Sequence, residues 1–159
     1  MGIPAQGTRS RPGAPPRQDG CRVKAKLQAK FATIERCLTR IEEERVASGR
    51  SASQASSDSI VLNVIRACEA AIDVANIMVA ARRLGTADDA REAFQLLHQA
   101  GLIDASLCDR MKRMVGFRNV AVHEYTRLED GILLAVVERH LNDFREFATA
   151  IHRAMPGDS

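Results

Sequence analysis

The apolar residues of this chain recur every three or four positions from about Lys24 onward. The first run consists of Leu27, Phe31, Ile34, Leu38 and Ile41. An α-helix has 3.6 residues per turn, so residues at this spacing lie on one face, whereas a half-buried strand alternates every second residue. Such a chain buries its apolar side chains by packing helices against one another. The sequence therefore predicts an all-α protein.

Two interruptions of this pattern bound the first two helices. The first amphipathic helix is predicted to end before Ser48 and Gly49, and a loop rich in serine, glutamine and alanine follows over residues 51–57. Ser57 or Asp58 is expected to cap the second helix, because a short side-chain oxygen can accept a backbone N–H of the first turn. The second helix is apolar over most of its circumference, which predicts a central position in the bundle.

Three further helices follow from local start and stop signals. Residues 86–89 resemble a capping box that opens a short third helix, Gly101 closes that helix, and Asp104 caps the fourth. The last helix is predicted to run from about Leu128 to Arg153. Its inward face is formed by Leu133, Val137, Leu141, Phe144, Phe147 and Ile151, with His140 on the same stripe in a core or interface role. The predicted fold is an up-and-down helical bundle of four main helices plus one short helix.

Composition divides the chain into a tail and one domain. Residues 1–22 contain four prolines, four glycines and four arginines but few large apolar side chains, which predicts a disordered tail or extension. Residues 23–159 are long enough to bury one hydrophobic core and are predicted to form a single helical domain. The most hydrophobic run, residues 60–81, is interrupted by polar and charged side chains, which predicts that no segment spans a membrane.

The cysteines are scattered along the chain without the paired spacing of a metal site. They are Cys21, Cys37, Cys68 and Cys108. Free thiols are typical of a reducing compartment, so the pattern predicts unbridged cysteines and a cytoplasmic location. A metalloenzyme lacks support, because the spacing of His, Cys and Asp offers no convincing set of three or four ligands.

The formal net charge of +3 comes from the N-terminal tail. Residues 1–22 carry four arginines against one aspartate, and the rest of the chain balances its 19 basic residues with 19 acidic ones. A nucleic-acid contact would therefore depend on a local cluster rather than on a strongly basic body. The candidate cluster is Arg110, Lys112, Arg113, Arg118 and Arg127. The alternative interpretation of this cluster is a solvated helix face.

The segment Arg118–Tyr125 combines a permanent cation, an amide, an imidazole and the only tyrosine of the chain. The residues that share the helix face of the arginine are Met111, Met114, Val115, Val122 and Tyr125. A buried guanidinium without a partner is costly, so Arg118 is expected to face a carboxylate, a subunit interface or a wet cleft that receives an anion. Asn119 and His123 are spaced i and i+4, and both can point into the same cleft.

A polar stripe on the second helix either meets water or lines that cleft. It consists of Asn63, Arg66, Glu69, Asp73 and Asn76. Glu69 and Asp73 are candidate cleft-wall residues, because either carboxylate can partner the buried cation of the motif. The alternative is a solvated face on which Arg66 bridges Glu69, and the spacing leaves both interpretations open.

The order Arg, four residues, His, one residue, Tyr, at Arg118, His123 and Tyr125, resembles the signature of the HEPN superfamily of helical ribonucleases. Within that superfamily it is similar to the HepT-like toxins, which are paired with a small nucleotidyltransferase antitoxin. Asn119 directly follows the arginine, as is usual in that family. The similarity extends over roughly residues 24–153.

Outside the motif the similarity is carried by several short segments and has two departures. The segments are residues 34–38, 70–76, 94–97 and 114–117. Ile77 stands where the family often has a histidine, and the turn at residues 85–87 lacks a frequent proline. Neither departure touches the Arg/His pair, although any auxiliary role of the missing histidine is not carried over.

The resemblance implies a metal-independent endoribonuclease that uses no cofactor. Arg118 would hold the scissile phosphate, His123 would transfer a proton, and Asn119 would orient the imidazole or a phosphate oxygen while the 2′-hydroxyl attacks the phosphorus. The family typically forms homodimers in which two motifs face a shared cleft. The implied substrate is RNA, with tRNA as one candidate.

The resemblance also implies that Tyr125 accepts AMP, which the nucleotidyltransferase antitoxin transfers from ATP. The added negative charge would silence the toxin by repelling RNA phosphate. The competing interpretation is a non-catalytic helical accessory subunit of a nucleotidyltransferase, in which the Arg118/His123 pair only binds a phosphate or forms an interface.

Overall fold

A computed structural model of the protein describes residue 2 and residues 18–48, 54–124 and 130–155. These residues form helices and connecting turns, and the described ranges contain no β-strand. In chain order the helices are α1 (Gln18–Ser48), α2 (Gln54–Ala81), α3 (Ala90–Gln99), α4 (Ala105–His123), α5 (Asp130–Arg139) and α6 (Leu141–Ala154). The all-α prediction is confirmed. None of these helices combines the length and the apolarity needed to cross a membrane.

Helix α2 lies at the centre of the bundle, where it contacts α1, α3, α4 and α6. Its small residues Ala67, Ala71 and Ala75 are fully buried and allow the neighbouring helices to approach closely. Larger side chains from the other helices fill the remaining space, and Phe94 and Phe147 pack edge to face with ring centroids 5.3 Å apart. Burial of this apolar surface stabilises the bundle by about 25 cal/mol per Å². The predicted central position of α2 is confirmed.

The turn between α3 and α4 follows the local sequence. Gly101 has a φ of +79°, a conformation that costs glycine little, and it closes the α3 segment as predicted. Asp104 Oδ1 accepts a hydrogen bond from the Leu107 N–H at 2.7 Å, so the predicted cap of α4 is confirmed. This cap fixes where the motif helix begins.

The start of α3 differs from the prediction, because Asp89 rather than Thr86 is its N-cap. Asp89 Oδ1 accepts a hydrogen bond from the Glu92 N–H at 2.8 Å, and Glu92 Oε2 accepts one from the Asp88 N–H at 2.8 Å. The exchange resembles a capping box with a glutamate three residues after the cap, except that the glutamate binds the N–H of the residue before the cap. The aspartates at 88 and 89 belong to the cap itself.

Helices α1 and α2 both begin earlier than predicted. Residues 18–22 are helical rather than part of a disordered tail, and residues 54–57 are helical rather than part of a loop, so Ser57 and Asp58 lie inside α2. Once the core has nucleated a helix, each added residue gains a backbone hydrogen bond at little cost. The other residues of the predicted tail, apart from residue 2, lie outside the described residues, as do residues 49–53, and the tail remains a prediction there.

The predicted last helix is broken into α5 and α6. His140 lies between them with φ −116° and ψ −6°, and its Nδ1 is 3.0 Å from Asp143 Oδ2 in the first turn of α6. The φ of −116° at His140 departs from the helical value, and the apolar period alone does not reveal this break. The predicted inward-facing residues on both sides of the break are buried. The described bundle therefore has two short helices, α3 and α5, rather than the single short helix that was predicted.

Candidate active site

Helix α4 carries the motif to its exposed end. The helix ends at His123, and Glu124 leaves the helical conformation with φ −135° and ψ 44° while its N–H still donates to the Val120 carbonyl at 2.7 Å. His123 and Asn119 are both exposed, whereas Arg118 is half-buried. The predicted position of the motif near the end of the fourth helix is confirmed.

Arg118 lies on the side of α4 that faces α2. Its Nε is buried and has no hydrogen-bond partner in the described part of the chain. Burial raises the pKa of the Cys68 thiol of α2 to about 12, and the nearby charge of Arg118 opposes that rise. The same thiol donates to the Met114 carbonyl at 3.8 Å. A permanent cation is therefore held at the α2–α4 junction without the carboxylate that a structural arginine usually has.

The carboxylates expected to partner this cation behave differently from one another. Asp73 Oδ2 forms an ion pair with Lys30 Nζ of α1 at 2.7 Å, so its partner is not Arg118. Glu69 is exposed, and its charge raises the pKa of the Cys68 thiol, which places it near the same junction. The cleft-wall role of Glu69 stays a prediction.

The polar stripe of α2 is solvated along most of its length, because Arg66, Glu69 and Asn76 are exposed. Asn63 is the exception. It is buried, and its Nδ2 donates to the Ser59 carbonyl at 2.9 Å. A buried amide bound to its own helix backbone is satisfied and is not available to a ligand.

The helix face of Arg118 is buried only up to the last turn. Met111, Met114 and Val115 are buried as predicted, but 49% of Val122 is exposed, because the final turn of α4 extends beyond the core. Tyr125 lies outside the described residues. On an ideal helix Arg118 and His123 are about 140° apart, so a flat surface could not contact both side chains, whereas a groove could.

The predicted basic cluster is divided by its ion pairs. Arg110 Nη1 contacts Asp143 Oδ1 at 2.6 Å, and Nη2 contacts Glu146 Oε2 at 2.8 Å. Hydrogen bonds to these carboxylates, first Glu146 and then Asp143, raise the pKa of Arg110. Lys112 Nζ donates to Gln95 Oε1. Arg110 is therefore paired within the fold, Lys112 is bonded to a neutral amide, and Arg127 lies outside the described residues. The nucleic-acid role of the cluster stays a prediction.

Comparisons with known proteins decide the family. The family model described as ribonuclease HepT-like matches residues 31–151. This chain belongs to the HepT-like ribonuclease family. It is 43% identical over 124 residues to a protein of Shewanella oneidensis named mRNA nuclease HepT, a match that covers 77% of this chain and 92% of the relative. The resemblance inferred from the motif is confirmed.

Two solved structures share the fold of this HepT-like chain. A tri-AMPylated HEPN toxin of Shewanella oneidensis in complex with MNT antitoxin is 40% identical and superposes with a TM-score of 0.76, covering 80% of this chain and 97% of that one. A toxin–antitoxin structure with AMP-PNP is 39% identical, with a TM-score of 0.75 over 79% of this chain and 97% of that one. The bundle is therefore that of the HEPN toxins.

A groove of about 280 Å³ runs between α4 and α5 of the HepT-like bundle. Its walls are mainly apolar, and Val120 and Ile132 are 43% and 49% exposed at its open side. Arg113 and His140 also line it. The groove could not be predicted from the sequence, because it depends on how two helices pack. No sequence pattern marks it, since the exposure of Val120 and Ile132 follows only from that packing.

The thiols of the HepT-like chain are unbridged, as predicted. Cys21 is exposed, whereas Cys37, Cys68 and Cys108 are buried and burial raises the pKa of each of these three thiols. Buried neutral thiols behave as small apolar residues. Within the described ranges, no three His, Cys, Asp or Glu side chains are grouped so as to hold a metal ion.

Proposed function

We propose that this HepT-like chain is the toxin of a toxin–antitoxin pair and acts as a metal-independent endoribonuclease. The observation that carries the proposal is the guanidinium of Arg118, which has a buried Nε without a partner and lies just over one turn before the exposed imidazole of His123. An arginine kept free of carboxylates is suited to binding a phosphate with paired hydrogen bonds. A relative named mRNA nuclease HepT supports RNA as the substrate.

The proposed reaction needs two proton transfers and one site of charge stabilisation. The 2′-hydroxyl oxygen attacks the adjacent phosphorus and loses its proton, the bond from phosphorus to the 5′-oxygen breaks, and the departing oxygen gains a proton. His123 performs a transfer because imidazole titrates near neutrality. Arg118 stabilises the charge on the phosphate oxygens, and Asn119 orients the imidazole or one of those oxygens.

A homodimer is part of the proposal, because one chain supplies only one motif histidine for two transfers. Two copies facing each other would place two arginines and two histidines along one groove. The exposed apolar side chain of Val122 at the end of α4 supports an intermolecular contact near the motif. We further propose a cytoplasmic location, which the buried free thiols support.

Regulation is proposed to act on Tyr125. A nucleotidyltransferase antitoxin would transfer AMP from ATP to the phenolic oxygen and release pyrophosphate. The phosphate of AMP adds negative charge two residues after His123, which would repel the RNA backbone. The solved relative described as a tri-AMPylated HEPN toxin in complex with MNT antitoxin supports this mode of control.

The catalytic proposal is tested by cleavage of total cellular RNA in the presence of EDTA. Wild type is compared with His123→Ala and with the control His152→Ala, which removes an exposed histidine of α6 outside the motif. All proteins are first shown by mass spectrometry to be free of AMP. We expect wild type and His152→Ala to cleave defined RNA species and His123→Ala to cleave none. Equal cleavage by all three would contradict the role of His123, and no cleavage by any would favour the accessory-subunit interpretation.

The regulatory proposal is tested separately with the cognate nucleotidyltransferase and ATP. We expect a mass increase that maps to Tyr125, together with loss of RNA cleavage. Tyr125→Phe should cleave RNA as wild type does but stay active after the same incubation. AMP on a different residue, or silencing of Tyr125→Phe, would overturn the assignment while leaving the catalytic proposal intact.

A further inference from the structure

Gly116 lies in the interior of α4, two residues before Arg118. Glycine is unfavourable at such a position. A Cβ at this position would lie 3.1 Å from Nη2 of Arg91, which reaches across from α3. The absence of a side chain at Gly116 therefore leaves space for the Arg91 guanidinium to lie directly against α4.

Two exposed arginines lie near Gly116. Arg91 belongs to α3, and Arg113 belongs to α4 itself. Neither forms an ion pair or a hydrogen bond within the described part of the chain, in contrast to the doubly paired Arg110. The carboxylates nearest to Arg91 in sequence, Asp89 and Glu92, accept backbone N–H groups of the α3 cap. Cations that are left free in this way suit a polyanionic ligand.

The groove between α4 and α5 is lined by Arg113, and Arg91 lies near its wall at Gly116. Gly116 and Arg113 both line it, and its apolar wall includes Phe117, Ile132 and Val136. Its volume of about 280 Å³ is close to the lower end of sites that hold small organic molecules, about 300 Å³. Apolar walls next to cations match a nucleotide, which has a flat base and a charged phosphate.

The groove lies on the same side of α4 as His123. Val120 lines the groove and lies one turn before His123, so the two side chains are about 60° apart around the helix axis. Gly116 and His123 differ by only about 20° in direction and by about 10 Å along the axis. An extended chain bound at His123 therefore meets the same side of α4 as the groove.

We propose that the groove and the arginine pair Arg91/Arg113 form a subsite for single-stranded RNA on one side of the scissile phosphate. The arginines bind backbone phosphates, and the apolar wall holds a base. The inference rests on the proposed function, because it assigns further contacts to the same substrate. It favours unpaired RNA over a duplex, since the groove admits a base only when that base is free of its partner strand.

The test measures binding in the His123→Ala background, so that the RNA stays intact. Fluorescence anisotropy with a labelled single-stranded RNA gives the affinity at several salt concentrations. Each phosphate contact contributes about 0.7 to the slope of log affinity against log salt for single strands. We expect the magnitude of this slope to decrease by about 0.7 in Arg91→Gln or Arg113→Gln and by about 1.4 in the double variant. The control Arg45→Gln, at an exposed site near the end of α1, should leave the slope unchanged.

Gly116→Ala provides a second test that separates binding from folding. The new methyl group displaces the flexible end of Arg91 and improves helix propensity, so the melting temperature should rise or stay constant while RNA affinity falls. Gly20→Ala is the matched control, because no atom lies within 4 Å of a Cβ at that helical glycine. It should leave RNA affinity unchanged.

The outcomes distinguish this subsite from the proposed function. If His123→Ala protein with both arginines intact binds no RNA, the proposed function fails and the subsite fails with it. If it binds RNA and the arginine variants and Gly116→Ala leave affinity and slope unchanged, only the subsite is overturned. If those variants instead alter the molecular mass in solution or the affinity for the antitoxin at an unchanged RNA slope, the groove is a protein interface and the subsite is likewise overturned.

Discussion

Helix α4 holds two arginines that the fold treats in opposite ways. Arg110, in the first half, gives its two terminal nitrogens to Asp143 and Glu146 of α6. Arg118, in the second half, has a buried Nε without any partner in the described residues. The first half of the helix is also capped by Asp104, whereas the second half runs out to an exposed end.

We interpret Arg110 as an arginine that stabilises the fold and Arg118 as the arginine of the proposed phosphate site. A guanidinium held by two carboxylates has little to offer an incoming phosphate, because the carboxylates both occupy its donors and repel the anion. A guanidinium left without carboxylates keeps its charge available, at a cost to the folded state. The comparison can be tested one residue at a time.

Arg118→Ala is expected to have the largest effect, and that effect should be on catalysis alone. Loss of one charge-stabilising group lowers the rate by about 10²–10³-fold. The free energy of unfolding should stay the same or increase, because the variant removes a buried polar atom that lacks a hydrogen bond. Measurement of kcat/KM for RNA beside urea unfolding checks both parts. A large loss of stability would show that Arg118 is also structural.

Unlike Arg118→Ala, Arg110→Ala should lower the free energy of unfolding, by about 3 kcal/mol. It leaves the carboxylate of Asp143, of which only 4% is exposed, without its main partner. Urea unfolding measures the loss. The double variant Arg110→Met with Asp143→Leu should recover much of it, because an apolar pair needs no desolvated charge. A double variant as unstable as Arg110→Ala would contradict this explanation.

Alkaline pH should weaken the fold through the thiol beside Arg118. Burial raises the pKa of Cys68 from 9.0 to about 12, so between these values the unfolded chain releases a proton that the folded chain keeps. Stability is therefore unaffected by this thiol below pH 9 and falls above it, by up to about 1.4 kcal/mol per pH unit. Urea unfolding under reducing conditions at about pH 8 and about pH 10 measures the change. Cys68→Ala should show a shallower fall, and an equal fall would assign the effect to other groups.

Asp104→Ala should have the smallest effect, a loss of about 1 kcal/mol. It removes the side chain that accepts the Leu107 N–H at the start of α4. The control Asp109→Ala removes an exposed aspartate from the interior of the same helix and should be nearly neutral. If both variants lose the same stability, the cap is not the cause.

The features predicted correctly from sequence are those set by neighbouring residues. The Asp104 cap, the Gly101 turn and the position of the motif at the end of α4 each depend on a few adjacent positions. The local helix pattern indicated that Arg118 and His123 could share a cleft, and the family motif added their catalytic roles.

The features missed are those set by residues far apart in the chain. The ion pair of Arg110 depends on Asp143, which lies 33 positions later in the chain. The contact between Arg91 and Gly116 needs two helices to pack in one particular register. Helical periodicity predicts which face is buried but not which charged side chain meets which.

The bare nitrogen of Arg118 also has a thermodynamic consequence for the lifetime of the protein. A fold that leaves a polar group unsatisfied is less stable than the same fold with that group engaged, so any anion that engages it shifts the folding equilibrium. Ligand at about 100 times its Kd adds about 2.7 kcal/mol to the free energy of unfolding. The resting protein is thus the form most open to proteases, and occupancy by substrate would lengthen its survival.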